Sequence, residues 1–329
     1  MEQYIGVDLH KSFFQVCVVD ALGVRCWERR FDTTETGIAS FLGQVSPVGH
    51  VAVEASGPTW TFVDRLRAQI ADVHVVDAGK TRLKAGYAAK TDRLDARRLA
   101  DALRRDSVAT VYYPPPRVRD LRELCRYRLS LVRVRAALKQ RVQALLLRHG
   151  IIAPEVSSLW HGPGAQWLAT VTLPGRAGES LDGLRRLLQL LTKPIRRVER
   201  AVRAEAEDDP VVVALQGLPG VGPVLGLTIR AEVGDITRFP DGPHLASYAG
   251  VVPRVSQSGN RRPWTGPLTK HGSPWLRWAL IEAAMHGPKR PDAVGRWARR
   301  LALNKGALKA RAAIARALCD EIFVVWPRT

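Results

Sequence analysis

The chain has 329 residues, 46% of them hydrophobic and 25% charged, which is room for about two domains with buried cores and excludes a disordered polyelectrolyte. Fifty Lys and Arg face 31 Asp and Glu, a formal net charge of +19. That surplus favours a polyanionic partner, because each neutralised phosphate releases condensed counterions.

Residues 4–8, 13–19 and 24–31 are rich in β-branched and aromatic side chains and are joined by short polar or Gly-containing links, which predicts an antiparallel meander. A helix over 35–45, a strand over 50–55, a helix over 59–68, a strand over 73–77 and a helix over 92–104 follow. Three antiparallel strands and then alternating helices and strands is the order of the RNase H fold. Pro114-Pro115-Pro116 breaks the pattern. After it, Leu121, Leu124, Tyr127, Leu131, Val134, Leu138, Val142 and Leu145 mark one face of a long helix. Its other faces are rich in arginine. A second helical stretch, 181–207, repeats the pattern, and Pro194 inside it is expected to kink or split it. The pair reads as a helical hairpin or coiled coil, either a plain connector with a solvated basic face or an arm that touches nucleic acid. From 210 onward the chain reads as mostly helical with Gly- and Pro-rich loops. The expected division is therefore an α/β domain over 1–115, a long-helix region over 116–208 and a mostly α domain over 209–329.

The four cysteines, Cys17, Cys26, Cys125 and Cys319, form no Cys-x-x-Cys pair, which argues against a structural zinc site and for reduced thiols of a cytosolic protein. No apolar run reaches about 18 residues, so no membrane span is expected. Asp8 and His10 fall where a signal peptide needs its apolar stretch.

Asp8 ends the first strand and Glu54 a later one, so the two carboxylates can converge. Asp92 and Asp95 are three apart, which on a helix puts both on one face with Cβ atoms about 5–6 Å apart. Clustered carboxylates repel and are costly to bury unless paired or metal-bound. Hard oxygen donors of this kind suit Mg2+ or Mn2+. Two such ions about 4 Å apart can clamp the attacking and leaving oxygens of a phosphodiester. Taken singly, each acid has a plainer reading: Asp92 and Asp95 can pair with Arg93, Arg97 and Arg98, and Asp8 can cap a turn. Gly6 with Asp8 also resembles the phosphate-binding start of actin-like sugar kinases, but no second Gly-rich loop follows.

In the second half, Leu218-Pro219-Gly220-Val221-Gly222 lies between two predicted helices and has the look of a helix–hairpin–helix. The backbone amides at Gly220 and Gly222 could hold a phosphate at a helix N-terminus. The plainer alternative is a tight turn. Ser258 is followed by Gly259 and surrounded by Arg254, Arg261, Arg262 and Lys270. A serine needs activation to act as a nucleophile, and guanidinium groups can stabilise charge building on a phosphorane. By spacing alone most loop serines form turns or caps, and Ser256 competes for the role.

Together these residues resemble the DEDD transposases of bacterial insertion sequences, the group that includes Piv-like DNA invertases. The resemblance rests on Gly6-Val7-Asp8-Leu9-His10-Lys11, Glu54-Ala55-Ser56-Gly57 and Lys90-Thr91-Asp92-Arg93-Leu94-Asp95-Ala96. Further on it rests on Leu218-Pro219-Gly220-Val221-Gly222, Ala249-Gly250-Val251-Val252-Pro253, Gln257-Ser258-Gly259 and Leu268-Thr269-Lys270-His271-Gly272. Val251-Val252 departs conservatively from the family pattern, and Pro274 so soon after Lys270 is expected to alter the loop. The resemblance implies that Asp8, Glu54, Asp92 and Asp95 ligate the metal in a RuvC-like domain and that Ser258 forms a covalent phosphoserine link to DNA. It also implies donor and target duplex DNA, a structured guide RNA, a homodimer or homotetramer, and a cytoplasmic protein associated with the nucleoid. A Holliday-junction-type nuclease using only the acids, and a non-catalytic nucleic-acid-binding protein, are the competing readings.

Overall fold

The first two strands are buried along almost their whole length, because both faces of the sheet they form are covered. The computed structural model of the chain describes residues 2–77, 81, 91–256 and 264–327. These fall into two units, Met1–Tyr113 and Pro114–Thr329.

The first unit runs β1 (Tyr4–Leu9), β2 (Phe13–Val19), β3 (Arg25–Asp32), α1 (Glu35–Leu42), β4 (His50–Glu54), α2 (Thr59–Arg67), β5 (Asp72–Val76) and α3 (Asp92–Arg104). The sheet order is β3-β2-β1-β4-β5. β1 pairs antiparallel with β2 and parallel with β4, and β4 pairs parallel with β5. This mixed α/β arrangement is consistent with an RNase H-like fold. Ile5, Val7, Phe14, Val16, Val51 and Val53 bury one face of the sheet together with Phe62, Val63 and Leu66 of α2. The alternate residues meet α3 on the other face, where Cys17 and Val19 pack with Ala96 and Ala100, and Ala52 with Leu99 and Leu103. Helix α1 ends at Leu42, with Gly43 as its C-cap, three residues short of the expected 45.

The second unit is mostly helical: α4 (Pro116–Arg148), α5 (Gly162–Thr170), α6 (Gly175–Asp208), α7 (Pro210–Gln216), α8 (Pro223–Val233), α9 (Gly242–Ala249), β6 (Pro253–Ser256), β7 (Trp264–Leu268), α10 (Pro274–Ala284), α11 (Ala293–Lys305) and α12 (Ala307–Val325). Helix α4 has 33 residues, a length of about 50 Å. Its start shares a core with the end of α6 through Leu121, Cys125, Val202 and Ala206, and its end with the start of α6 through Val142, Leu145 and Leu181. The two therefore run antiparallel, tied by the ion pairs Arg128–Glu199 at 2.9 Å and Arg117–Glu205. Pro194 does not split α6. The N–H it lacks would have bonded the carbonyl of Leu190, an exposed position, so the loss falls on the wet side of the helix. The main core of this unit lies under α8, α9, α10 and α12. The two-stranded β6–β7 pair was not among the elements expected in this mostly helical region; its strands are short and largely exposed, and they carry no buried alternation to read. Pro274 occupies the first turn of α10, where a missing N–H costs nothing. Among the described residues no helix is long and apolar enough to cross a membrane.

Candidate metal centre

The site begins with a packing requirement. Gly6 lies in β1 under α3, and a Cβ there would come within 2.0 Å of the Ala96 carbonyl and 2.5 Å of the Ala100 nitrogen. Gly6, Ala96 and Ala100 together let α3 lie directly on the strand. Asp8, two residues on, projects from the same face of β1 as Gly6. The first turn of α3, with Asp92 and Asp95, is held over it. Thr91 caps that turn by accepting a hydrogen bond from the Leu94 N–H at 3.3 Å, and the helix N-terminus favours the two anionic side chains.

Asp8 is 6% exposed. His10 Nε2 lies 3.2 Å from Asp8 Oδ2 and 3.5 Å from Asp92 Oδ1. One donor atom from each of the three falls within 4.8 Å of the others. Burial pushes the Asp8 carboxyl above the usual carboxylate range; the His10 imidazole opposes this, and the charges of Asp92 and Asp95 add to it. Asp95 is hydrogen-bonded by Arg98 at 3.1 Å. Glu54 ends β4 just after Val53, the register partner of Val7, so it sits at the same end of the sheet as Asp8. It is not one of the three donors that meet. Two carboxylates and one imidazole fit a divalent cation that takes oxygen and nitrogen ligands, and a buried carboxylate that is costly to ionise alone is stabilised by such a charge.

Sequence reasoning left His10 out of this site. Its signal was present: His10 follows Asp8 by two residues, the spacing that puts two strand-end side chains on one side. His10 is further set by Phe13, whose ring lies 4.6 Å away and carries the Arg30 guanidinium 3.6 Å from its centroid.

In the second unit, Gly220 lies in the α7–α8 turn and Gly222 is the N-cap of α8, which no side chain caps. A Cβ at Gly222 would meet nothing within 4 Å, so that side of the turn is open. Arg254 is exposed on β6, beside Pro253, which pairs with Leu268 of β7; Lys270, also exposed, follows that strand with φ of 55°. Ser256 is exposed and pairs with Trp264. Ser258, Arg261 and Arg262 lie outside the described residues.

Comparison with known proteins matches residues 5–151 to a transposase family model of the IS110 DEDD type, and residues 213–296 to the transposase IS116/IS110/IS902 family. The transposase for insertion sequence element IS1111A of Coxiella burnetii is 30% identical over 94% of this chain and 86% of its own length. The chain belongs to the IS110-type transposase family. A probable family 20 transposase of Pseudomonas aeruginosa is also 30% identical, over 89% of this chain and 87% of its own. A protein of insertion element IS116 from Streptomyces clavuligerus is 27% identical over 88% and 85%.

Within the region of this IS110-type transposase covered by the second match, one acid is fully buried. Glu232 of α8 is 1% exposed and accepts from Arg126 Nε at 2.8 Å, Arg126 Nη2 at 3.0 Å and Ser273 Oγ at 2.8 Å. Arg122 donates to the Ala231 and Glu232 carbonyls, each at 2.8 Å. Ser273 also caps α10, accepting from the Trp275 and Leu276 N–H groups. One carboxylate thus joins α4, α8 and the start of α10, a few residues beyond Lys270.

Proposed function

We propose that this transposase cleaves and rejoins DNA strands, using Asp8, Glu54, Asp92 and Asp95 to hold Mg2+ or Mn2+ and Ser258 as the nucleophile. The observation that carries the reading is the meeting of Asp8, His10 and Asp92 donor atoms at the strand ends, in a chain of this family. Relatives from Coxiella burnetii and Yersinia enterocolitica are named as transposases of insertion sequence elements, which supports DNA as the substrate here. When bound, the metal would supply charge stabilisation at the phosphoryl oxygens.

The residues of the chain would do the rest. Ser258 Oγ bonds to phosphorus as its proton passes to solvent. The bond from phosphorus to the deoxyribose oxygen breaks, and that oxygen is protonated as it leaves. Attack by a sugar hydroxyl of a second strand reverses the exchange and frees the serine. One phosphodiester replaces another at each step, so the exchange requires no high-energy cofactor. Arg254, Arg261, Arg262 and Lys270 would hold the phosphate, and the amides at Gly220 and Gly222 would bind a second one at the start of α8. The reading assigns residues 1–115 to the metal-binding domain, 116–208 to a coiled-coil connector and 209–329 to the serine-bearing domain. A guide RNA, a dimer or tetramer in which the acids of one subunit serve the serine of another, and a nucleoid-associated cytoplasmic location belong to the same reading and derive from the family resemblance.

The test uses DNA that spans the ends of the element carrying the gene. Wild-type protein with Mg2+ should leave a denaturant-stable protein–DNA adduct. Ser258→Ala should abolish the adduct and keep Mn2+ binding, whereas Asp8→Asn should abolish both. Cleavage that survives in Ser258→Ala would replace this reading with a metal-only nuclease.

A further inference from the structure

Helix α3 carries more than the two acids. Arg97, Arg98, Arg104 and Arg105 fall on one side of it, with Asp101 between the two pairs and Leu94 before them, and that side faces Val19, Leu22 and Gly23 around the β2–β3 turn. The groove between helix and turn encloses about 330 Å³. We infer that this groove binds the phosphodiester backbone of a nucleic acid, along a path that starts at the acidic site.

Charge is the first argument. Four guanidinium groups line the groove against one carboxylate, Asp101, which is shared by Arg104 at 2.9 Å and Arg105 at 2.7 Å. Arg98 turns instead to Asp95 at 3.1 Å, so it links the groove to the first turn of α3. A helix face held in solvent for its own sake gains from acids spaced to match its bases; this one keeps an excess of like charge, which costs stability until an anion arrives.

Preorganisation is the second. Arg104 Nη1 donates to the Ala21 carbonyl at 3.5 Å, and the turn closes over its guanidinium at Gly23. Gly23 has φ of +83°, and a Cβ there would stand 3.1 Å from Arg104 Nε and 3.2 Å from Cζ. Only glycine fits that conformation and approach without a shift. Arg104 Nε is buried and has no hydrogen-bond partner among the described residues. Arg104 is thereby fixed in the wall of the groove, and its positive charge acts on a phosphate there without further ordering.

Geometry is the third. The pairs 97/98 and 104/105 are two helical turns apart, about 10 Å. Phosphates of one strand are spaced about 3.4 Å along the duplex axis, so the two pairs bracket about three steps. The acidic site lies at the 92–95 end of the same helix, and the groove leads away from it toward the turn. Leu22 and Leu94, 85% and 36% exposed, border it with apolar surface that a sugar can cover.

This rests on the proposal that the chain acts on nucleic acid, and the experiment separates the two. The full chain carrying Arg97→Ala with Arg105→Ala, both exposed positions, is titrated with a duplex DNA and with a hairpin RNA over a series of salt concentrations. The plot of log K against log salt should become shallower by about two units for whichever nucleic acid occupies the groove. The paired Arg→Lys variant should keep the wild-type slope, and Arg65→Ala, at an exposed arginine paired with Glu35 outside the groove, should change neither. Mn2+ binding and the melting temperature report on the acidic site and the fold, and both should hold. Unchanged slopes for both DNA and RNA would overturn the groove while leaving the catalytic reading intact. A wild-type protein that binds neither would bring down both.

Discussion

His50 begins β4 at the end of the sheet opposite Asp8, stacked on Tyr4 with ring centroids 5.0 Å apart. Its Nδ1 is hydrogen-bonded to Asp72, and its Nε2 lies 3.3 Å from Glu2. Asp72 is also 2.7 Å from His74 Nε2. The bond to Asp72 raises the His50 pKa above the usual imidazole value, although burial opposes it. Burial alone would raise Asp72, but the two histidines hold its carboxyl below the usual range. The raised imidazole stabilises the fold fully below the unfolded value of about 6.5, and that contribution is lost as pH rises through the folded value. The depressed carboxyl contributes above about 3.9 and loses its effect as pH falls through its folded value. Both act together between about pH 4 and 6.5. Thermal melts should therefore show the wild type losing more Tm than His50→Gln between about pH 5.5 and 8.5. Equal losses would mean that other groups set the pH dependence. This network was not legible in the sequence, whereas the place of His10 was signalled by its two-residue spacing from Asp8 and passed over. A histidine in a strand is most often a filler, and only the register that sets Tyr4 beside His50 and His50 beside Asp72 gives it partners.

At the scale of elements, runs of β-branched and aromatic residues between short polar links made the strands readable, and the strand and helix ends so placed put Asp8, Glu54, Asp92 and Asp95 at recognisable positions. What the sequence withheld was the closeness of α3 to β1. Gly6 reads only as one residue of a strand until its missing side chain is seen beneath Ala96 and Ala100. Gly6→Ala should push α3 away, costing about 3 kcal/mol or more in urea unfolding and weakening Mn2+ binding at the same time. A variant of normal stability would show that α3 tolerates a methyl group there. Glu232 was illegible for a related reason: it sits in a nearly apolar helix, and its partner Arg126 is 106 residues earlier in the chain. Arg126→Met would leave a buried carboxylate with only Ser273 to satisfy it, a loss of about 3 kcal/mol. Adding Glu232→Gln should recover part of that loss, which a double-mutant cycle measures directly. If the double variant is as unstable as the sum of the single ones, the two side chains are not coupled.

For the whole molecule, the separation of the cores matters most. One core lies within Met1–Tyr113, where Phe14, Phe41 and Phe62 pack together; the largest of the second unit lies under α8, α10 and α12. Units with cores of their own are expected to unfold in separate steps, because a single cooperative transition needs one shared core. Asp8, His10 and Asp92 all belong to the first unit. A divalent cation bound only by the folded site stabilises that unit by about 2.7 kcal/mol when present at about one hundred times its Kd. Calorimetry should then resolve two transitions, of which Gly6→Ala lowers only the one belonging to the first unit. Mn2+ should raise that same transition and leave the other in place, and Asp8→Asn should remove the shift. Duplex DNA is a different ligand, because the basic residues assigned to it occur in both units, and it should raise both transitions at low salt. A metal that moved both transitions equally, or a protein that melted in one step, would show that the two units unfold as one and that the acidic site draws on more than the residues of its own sheet.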